Sequence, residues 1–471
     1  MIQYQIAMER INPTEEIRTN RELPLTRKIQ IALKLSLPII LAQITVIAMQ
    51  YIDAAMVGRL GAQASASVGL VSSSIWLITD VSLAPVFGYS VLISHKAGAN
   101  DGAGSRNIFR QGIKVSLMVA VVAAVIGSIL AFPLPRLLGA EEEIRRDATI
   151  YYLIISASLP LNNLGFYAMK SLQAIGDTRT PGMWSIARCG FNIVFNAFLI
   201  YGEFTVFGLS LRGAGLGVAG AALGTVLSNA LVGIILLLVG AIREPFLRIL
   251  RNEHAPIRLD VFKKALKIAI PMAMESIALN GAQVASTRIV APLGTVSIAA
   301  NSFAVTAEAI CYMPGYGLEG AATTLTGQSI GAENKAMAKS FAWISTFMGM
   351  IIMGLTGIIM YFACPLVLGF LTPVEEVRIL AASVLRIELL VEPLFGASIV
   401  AAGALRGAGD TLVPGIMTMV SIWGVRITMM LILVGRMGLT GAWIAMACEL
   451  AFRGAIFLIR LARGRWLEIK V

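Results

Sequence analysis

Charge is what this chain has least of: Asp, Glu, Lys and Arg make up 14% of its 471 residues, where soluble domains carry about 25%. That is too little to cover a water-facing surface, so a soluble globular protein is excluded. Histidine is nearly missing, with only His95 and His254, both in predicted loops. Proton chemistry inside apolar segments therefore falls to carboxylates. The four cysteines, Cys189, Cys311, Cys364 and Cys448, are scattered through apolar stretches without a CxxC pair. Neither a disulfide nor a structural metal site is expected. No GxxxxGK[ST] loop is present, which argues against an ATP-driven pump. No nucleophile–base pair stands out, so an enzyme is not expected, and no cofactor is implied. The first 28 residues have no apolar core; they do not read as a cleavable signal, and the first hydrophobic segment is expected to direct insertion.

What the chain has is apolar length. Hydrophobic residues make up 57% and the mean hydropathy is +0.79. A helix needs about 20 apolar residues to cross a bilayer. Runs of that kind centre near Ile44, Ile78, Val121, Ile155, Phe195, Val226, Leu279, Ala307, Met350, Val391, Ile422 and Cys448. Twelve spans and an all-α integral membrane fold are the expectation, with the lipid bilayer as an obligatory partner.

The spans come in two sets. QAIGDTRTPGM from Gln173 returns as RGAGDTLVPGI from Arg406, an offset of 233 (406 − 173). The same offset pairs Pro38 with Pro271, Leu60-Gly61 with Leu293-Gly294, Gly98-Ala99 with Gly331-Ala332, and Pro160 with Pro393. An even number of spans per copy gives both copies one orientation, a parallel repeat, and a duplicated unit in so apolar a chain points to a two-lobe transporter. The boundaries read as a tail over 1–28, an N-lobe over 29–241, a linker over 242–262, a C-lobe over 263–463 and a tail over 464–471. The GDTxxPG segments suit turns between helices, with Gly176 and Gly409 as stops and Pro181 and Pro414 in the following first turns.

The net charge of +11 does not point to nucleic acid, because Lys and Arg fall between apolar runs. They concentrate in the tail (Arg10, Arg18, Arg21, Arg27, Lys28) and the linker (Arg243 to Lys264). Opposite segments hold fewer, such as Arg59, Arg136, Arg212, Arg378 and Arg436. The asymmetry places both termini and the linker in the cytoplasm of an inner-membrane protein.

The copies agree in turns, glycines and prolines but differ in their intramembrane charges. Asp53 faces Ser286 across the offset, Glu275 Ala42, Glu308 Ile75, Glu388 Ile155 and Glu392 Leu159. An ionisable group at mid-bilayer costs about 2.5–3.5 kcal/mol on insertion scales and is a functional candidate by default. In the first span Ser36, Gln43, Gln50 and Asp53 share a face, and in the fifth Arg188, Asn192 and Asn196 do. A carboxylate beside amides offers oxygens to a transient Na⁺ or takes a proton; interhelical hydrogen bonding is the structural alternative. In the second copy Glu275, Gln283, Glu308 and Glu392 are candidates for ion or substrate binding. Glu275 and Glu308 have no basic residue one helical turn away. Arg386 or Arg426 can pair with a glutamate, so Glu388 and Glu392 read either as structural partners or as functional acids.

Taken in order, MQYIDAAMVGRLG, NIVFNAFLIYG, IVAPLGTVSIAANS, YMPGYGLEGAATTLTGQSIGA, LRGAGDTLVPG and GLTGAWIAM resemble the multidrug and toxic compound extrusion (MATE) family across both copies. The resemblance implies two six-helix bundles in a V. It also implies export of small amphipathic, often cationic compounds in exchange for Na⁺ or H⁺, by a protein expected to act as a monomer. Asp53 matches the family's first-helix acid and Asn192 a fifth-helix asparagine; some members carry an aspartate where Asn196 stands. Many members place a seventh-helix acid where this chain has Leu279, and Glu275 lies one turn earlier. A lipid or glycan-lipid flippase on a related fold is the rival reading, kept open by Arg188, Arg386 and Arg426.

Overall fold

The computed structural model describes residues 14–19, 22–206, 209–250 and 257–469. Parts of the predicted tails and linker (1–13, 20–21, 251–256 and 470–471) lie outside the described residues. In the first copy, the first, second, third, fifth and sixth spans are Leu25–Gly58, Ala62–Gly98, Gly102–Leu130, Arg179–Ile200 and Val218–Ile242. In the second, the seventh, eighth, ninth and twelfth are Leu259–Val290, Thr295–Gly331, Lys335–Leu371 and Leu439–Arg463. The fourth and tenth spans are each two helices, Glu142–Ala157 with Leu159–Ala174 and Glu375–Leu389 with Glu392–Gly407. Both breaks fall at the duplicated prolines. Pro160 and Pro393 each occupy the second position of a new helix, where a missing N–H leaves nothing unsatisfied. The eleventh span runs Leu412–Met419, then a π-helical stretch Val420–Ile427, then Thr428–Met437.

Among the described residues nine helices are long and apolar enough to cross a membrane. The fourth and tenth spans fall short because they are broken. The seventh falls short because Lys263, Lys264, Lys267 and Glu275 dilute its apolar run.

The duplication is legible in the turns. Gly61 and Gly294 have φ of 119° and 91°, and Gly176 and Gly409 of 96° and 88°. Asn100 and Glu333, also 233 apart, are the positive-φ residues other than glycine among the described residues, at 56° and 57°. The residues after them cap the third and ninth spans: Asp101 accepts from the Gly104 N–H at 2.8 Å and Asn334 from the Met337 N–H at 2.9 Å. The offset fails late in the copies. Gly217 and Gly438 cap the sixth and twelfth spans with matching φ of 57° and 59°, yet they are 221 apart (438 − 217). The first copy holds the extra residues in an antiparallel hairpin, Glu203–Val206 with Leu209–Arg212, the only strands among the described residues.

The chain forms two compact units that cut across the predicted lobe boundaries. One, the C-terminal unit, takes residues 1–43, 98–100 and 274–471; the other, the N-terminal unit, takes 44–97 and 101–273. The predicted lobes, 29–241 and 263–463, each give up half a helix. The cause is apolar packing. Ile31, Leu35 and Ile39 of the first span are buried with Ala321, Leu325 and Phe341. Gly88 of the second span approaches the seventh so closely that a Cβ there would lie 2.4 Å from the Ala265 carbonyl oxygen.

Candidate functional site

In the N-terminal unit three helices converge on Asp53. The Asn196 amide donates to Asp53 Oδ1 at 2.6 Å and to Asn192 Oδ1 at 3.3 Å. The Thr225 hydroxyl donates to Asp53 Oδ2 at 3.4 Å, and the Asn192 amide lies 3.4 Å from the same hydroxyl oxygen. Asn192 and Asn196 are fully buried. Their positions follow from the fifth span's periodicity, which stacks residues four apart on one face. The sixth span comes close because its own face is small: Gly220, Gly224 and Ser228 also repeat every four residues. A Cβ on Gly224 would lie 2.0 Å from Asn196 Oδ1. The carboxylate thus meets only neutral dipoles, with no ion pair among the described residues. Gln50, read from sequence as part of this group, is exposed and outside these hydrogen bonds. Thr225 was missed by the sequence reading, although the small-residue repeat beside it marks the contact face.

The C-terminal unit holds two separate clusters of charge. In the first, Glu275 is not free of cations as the sequence suggested. Arg406, from the end of the tenth span, pairs with Glu275 Oε2 at 2.9 Å and also with Glu319. Helical-turn neighbours could not reveal a partner 131 residues away. The comparison of copies could have, since Glu275, Glu319 and Arg406 face Ala42, Val86 and Gln173: all three charges stand in one copy and none in the other.

The second cluster joins Glu308 of the eighth span to Glu388 and Glu392 of the tenth. Glu308 is 6% exposed and the other two 0%. All three act on one another and on Cys311 electrostatically. Glu388 and Glu392 lie one turn apart, on either side of the break before Pro393, and both oxygens of each are buried without a hydrogen-bond partner. Gly357 makes room for them, since a Cβ there would lie 3.1 Å from Glu392 Cβ. Neither expected arginine pairs with them. Arg386 donates to the Tyr361 carbonyl at 3.2 Å and stacks on its ring. Arg426 is engaged by Glu449, which also accepts from Ser421 and pairs with Arg453 at 3.0 Å. Gln283 is exposed and outside both clusters.

Burying a carboxylate without donors is expensive, so the cluster that contains Glu388 and Glu392 is a place where a cation or proton is gained cheaply. By contrast, a groove of about 550 Å³ lined by Val121, Val125, Ser128, Phe132, Leu153 and Pro160 holds no ionisable group. Apart from Ser128 it offers apolar contact.

Comparison with known proteins adds to this geometry. The MatE family model matches residues 38–198 and 271–432, two stretches whose starts differ by the same 233 residues as the internal repeat. A probable multidrug resistance protein NorM of Thermotoga maritima is 28% identical over 451 residues, covering 94% of each chain. The probable multidrug resistance protein YoeA of Bacillus subtilis is 25% identical, covering 90% of each. Among solved structures, a MOP superfamily transporter from Pyrococcus furiosus superposes with a TM-score of 0.87 at 19% identity, covering 98% of this chain and 99% of that one. The Vibrio cholerae MATE transporter VcmN in the bent form gives 0.83 at 16%, covering 93% and 97%. The fold is therefore that of the MATE transporters, and the chain belongs to the MatE family of membrane transporters rather than to any class of enzyme.

Proposed function

We propose that this protein exports small amphipathic, often cationic compounds across the inner membrane in exchange for Na⁺ or H⁺. The observation that carries the reading is the pair of acidic sites, one in each unit, whose carboxylates form no ion pair among the described residues. Asp53 is the coupling carboxylate of the first, with Asn192, Asn196 and Thr225 as neutral ligands. Glu308, Glu388 and Glu392 form the second. Gradient-driven export requires a group whose affinity for the driving ion differs between two conformations. A carboxylate held by neutral dipoles meets that need, because one proton or one Na⁺ removes its charge and changes what its helix packs against most favourably.

The names of the relatives, multidrug resistance proteins, support drug export, and the Lys/Arg asymmetry supports termini in the cytoplasm. The flippase reading needs a broad basic surface. Of its three arginines, Arg386 and Arg426 are already engaged, which leaves Arg188 alone.

The test is dye efflux from proteoliposomes under ΔpH and ΔNa⁺ imposed separately. Wild-type protein should respond to at least one gradient. Asp53→Asn, inserted and still binding dye, should respond to neither; gradient-driven efflux by that variant at matched protein would overturn the role of Asp53. Uptake of polyprenyl-linked sugars in place of cationic dyes would favour the flippase. In a functional Cys-less background, labelling of an Arg243→Cys variant from outside intact cells would overturn the orientation.

A further inference from the structure

The apolar groove between the third and fourth spans has a length, an orientation and a rim. Along the third span it runs from Val121 to Phe132, eleven residues (132 − 121) or about 16 Å of helix. Half the hydrocarbon thickness of a bilayer is about 15 Å. The opposite wall is the fourth span, from Leu153 to its break at Pro160, and the small side chains of Ala124 and Ala157 keep the groove deep. The groove lies on the side of the third span turned away from the bundle. Ser116, Ala120 and Gly127 form that span's buried face, and a Cβ on Gly127 would lie 2.8 Å from Ser156. Val121, Val125 and Ile129 are exposed, in a span that carries no charge after Lys114. In a membrane-spanning chain, an uncharged exposed face of that length meets lipid.

Beyond its apolar part the groove meets charge of both signs. In the first helix of the fourth span Glu142, Arg146, Leu153 and Ala157 share one face, by steps of four, seven and four. Arg146 stands about 10 Å beyond Leu153 along the axis. On the other wall, Arg136 follows Phe132 in the short helix Leu134–Leu137. Arg136, Glu142 and Arg146 are exposed and make no side-chain hydrogen bond or ion pair among the described residues.

The second copy treats the same place differently. Ser128 and Leu153 pair with Tyr361 and Arg386 across the offset of 233. There Arg386 donates to the Tyr361 carbonyl at 3.2 Å and stacks 5.3 Å from its ring centroid. Ala157 pairs with Leu390, Arg146 with Ile379 and Arg136 with Gly369. The second copy thus sets a stacked arginine and tyrosine where the groove would be, and it has neither rim arginine.

We propose that the groove is a binding site for one acyl chain of a zwitterionic bilayer phospholipid, whose headgroup lies on the rim formed by Arg136, Glu142 and Arg146. The groove spans one leaflet, so a chain entering at the rim ends near mid-bilayer. Its walls ask for no hydrogen bond, which an acyl chain cannot give. The rim arginines suit a phosphate, and Glu142 suits a headgroup amine while repelling a second negative charge. The site lies apart from both acidic clusters and does not depend on which ion drives export.

The test uses full-length protein in dodecyl maltoside, titrated with a phosphatidylethanolamine that carries a mid-chain diazirine. After illumination, labelled peptides are quantified. Labelling should concentrate on 121–132 and 153–160, with the duplicate segments 354–365 and 386–393 as the internal control. Ala157→Leu places the second copy's residue in the groove and should cut labelling of the first pair roughly five-fold, leaving the second pair unchanged. Arg136→Gln combined with Arg146→Gln should raise the half-saturating probe concentration roughly ten-fold. The phosphatidylglycerol form of the probe should label the groove more weakly than the ethanolamine form. Equal labelling of the two copies, or labelling indifferent to Ala157→Leu, would overturn the site. Should Ala157→Leu fail to fold, the comparison of copies in the wild-type protein decides. Equal labelling by the phosphatidylglycerol probe would overturn the headgroup assignment. Displacement of the probe by a cationic dye that the protein exports would give the groove to the exported compound and likewise overturn the proposal.

Discussion

Replacing Gly224 by alanine adds one methyl group where there is no room for it. In an exposed helix the change is mildly stabilising, by up to about 1 kcal/mol. Here the new carbon would lie 2.0 Å from Asn196 Oδ1 and 3.1 Å from its Cγ, so the amide must swing away by more than an ångström. Its 2.6 Å bond to Asp53 cannot survive that movement. A hydrogen bond to a charged group is worth about 1.5–3 kcal/mol, a factor of roughly 10 to 100 in ion affinity. The sign depends on the ion. For a proton, the carboxylate has lost a donor that favoured its charged form, so the half-saturating concentration falls. For Na⁺, an oxygen-bearing ligand has been displaced, so it rises. Efflux from proteoliposomes titrated with each ion reads both. Asn196→Ala removes the clashing group, so adding Gly224→Ala to it should change little, and the four proteins form a double-mutant cycle. Unchanged ion dependence in Gly224→Ala, or equal effects with and without Asn196, would refute the argument.

Two further outcomes concern stability. Arg406→Gln takes the arginine from buried Glu275 and half-buried Glu319, at a cost of about 3–5 kcal/mol; neutralising both acids as well should recover most of it in thermal unfolding, and a single variant as stable as wild type would contradict the triad. Outside the bilayer, the Lys96 ammonium and then the Gly104 N–H hold the Asp101 carboxyl below its ordinary value. Its contribution is therefore present above the unfolded value of about 3.9 and lost as pH falls through the folded one. With Asp101 39% exposed, the pair is worth under about 1 kcal/mol. Lys96→Met should slightly flatten the acid limb of thermal stability between about pH 5 and 3; an unchanged limb would remove the pair from the account.

The sequence carries the membrane class and the twelve apolar runs, because composition and span length are local properties. It also carries the duplication, since glycines, prolines and helix caps are fixed by backbone conformation. Asp53, Asn192 and Asn196 were legible as faces because helical periodicity brings each face together. The partners of buried charges were not. Glu275 meets Arg406 through tertiary packing alone, and Glu388 and Glu392 lack the arginines that proximity along the chain suggested. The π register was equally hidden, for VSIWGVRI contains neither proline nor an unusual apolar period.

The crossing of the first helix into the unit built mainly from the second copy has a bearing on how the protein is made. Residues 31–39 emerge early from the ribosome, yet the side chains that bury them, at Ala321, Leu325 and Phe341, are synthesised almost three hundred residues later. Until then that half of the first helix lacks the side chains that bury it. The seventh helix has the reverse experience, entering beside partners already in place. Duplication therefore did not yield two modules that mature one after the other. The early copy waits for the late one, and folding of the C-terminal unit is completed only after translation has passed the eighth and ninth spans.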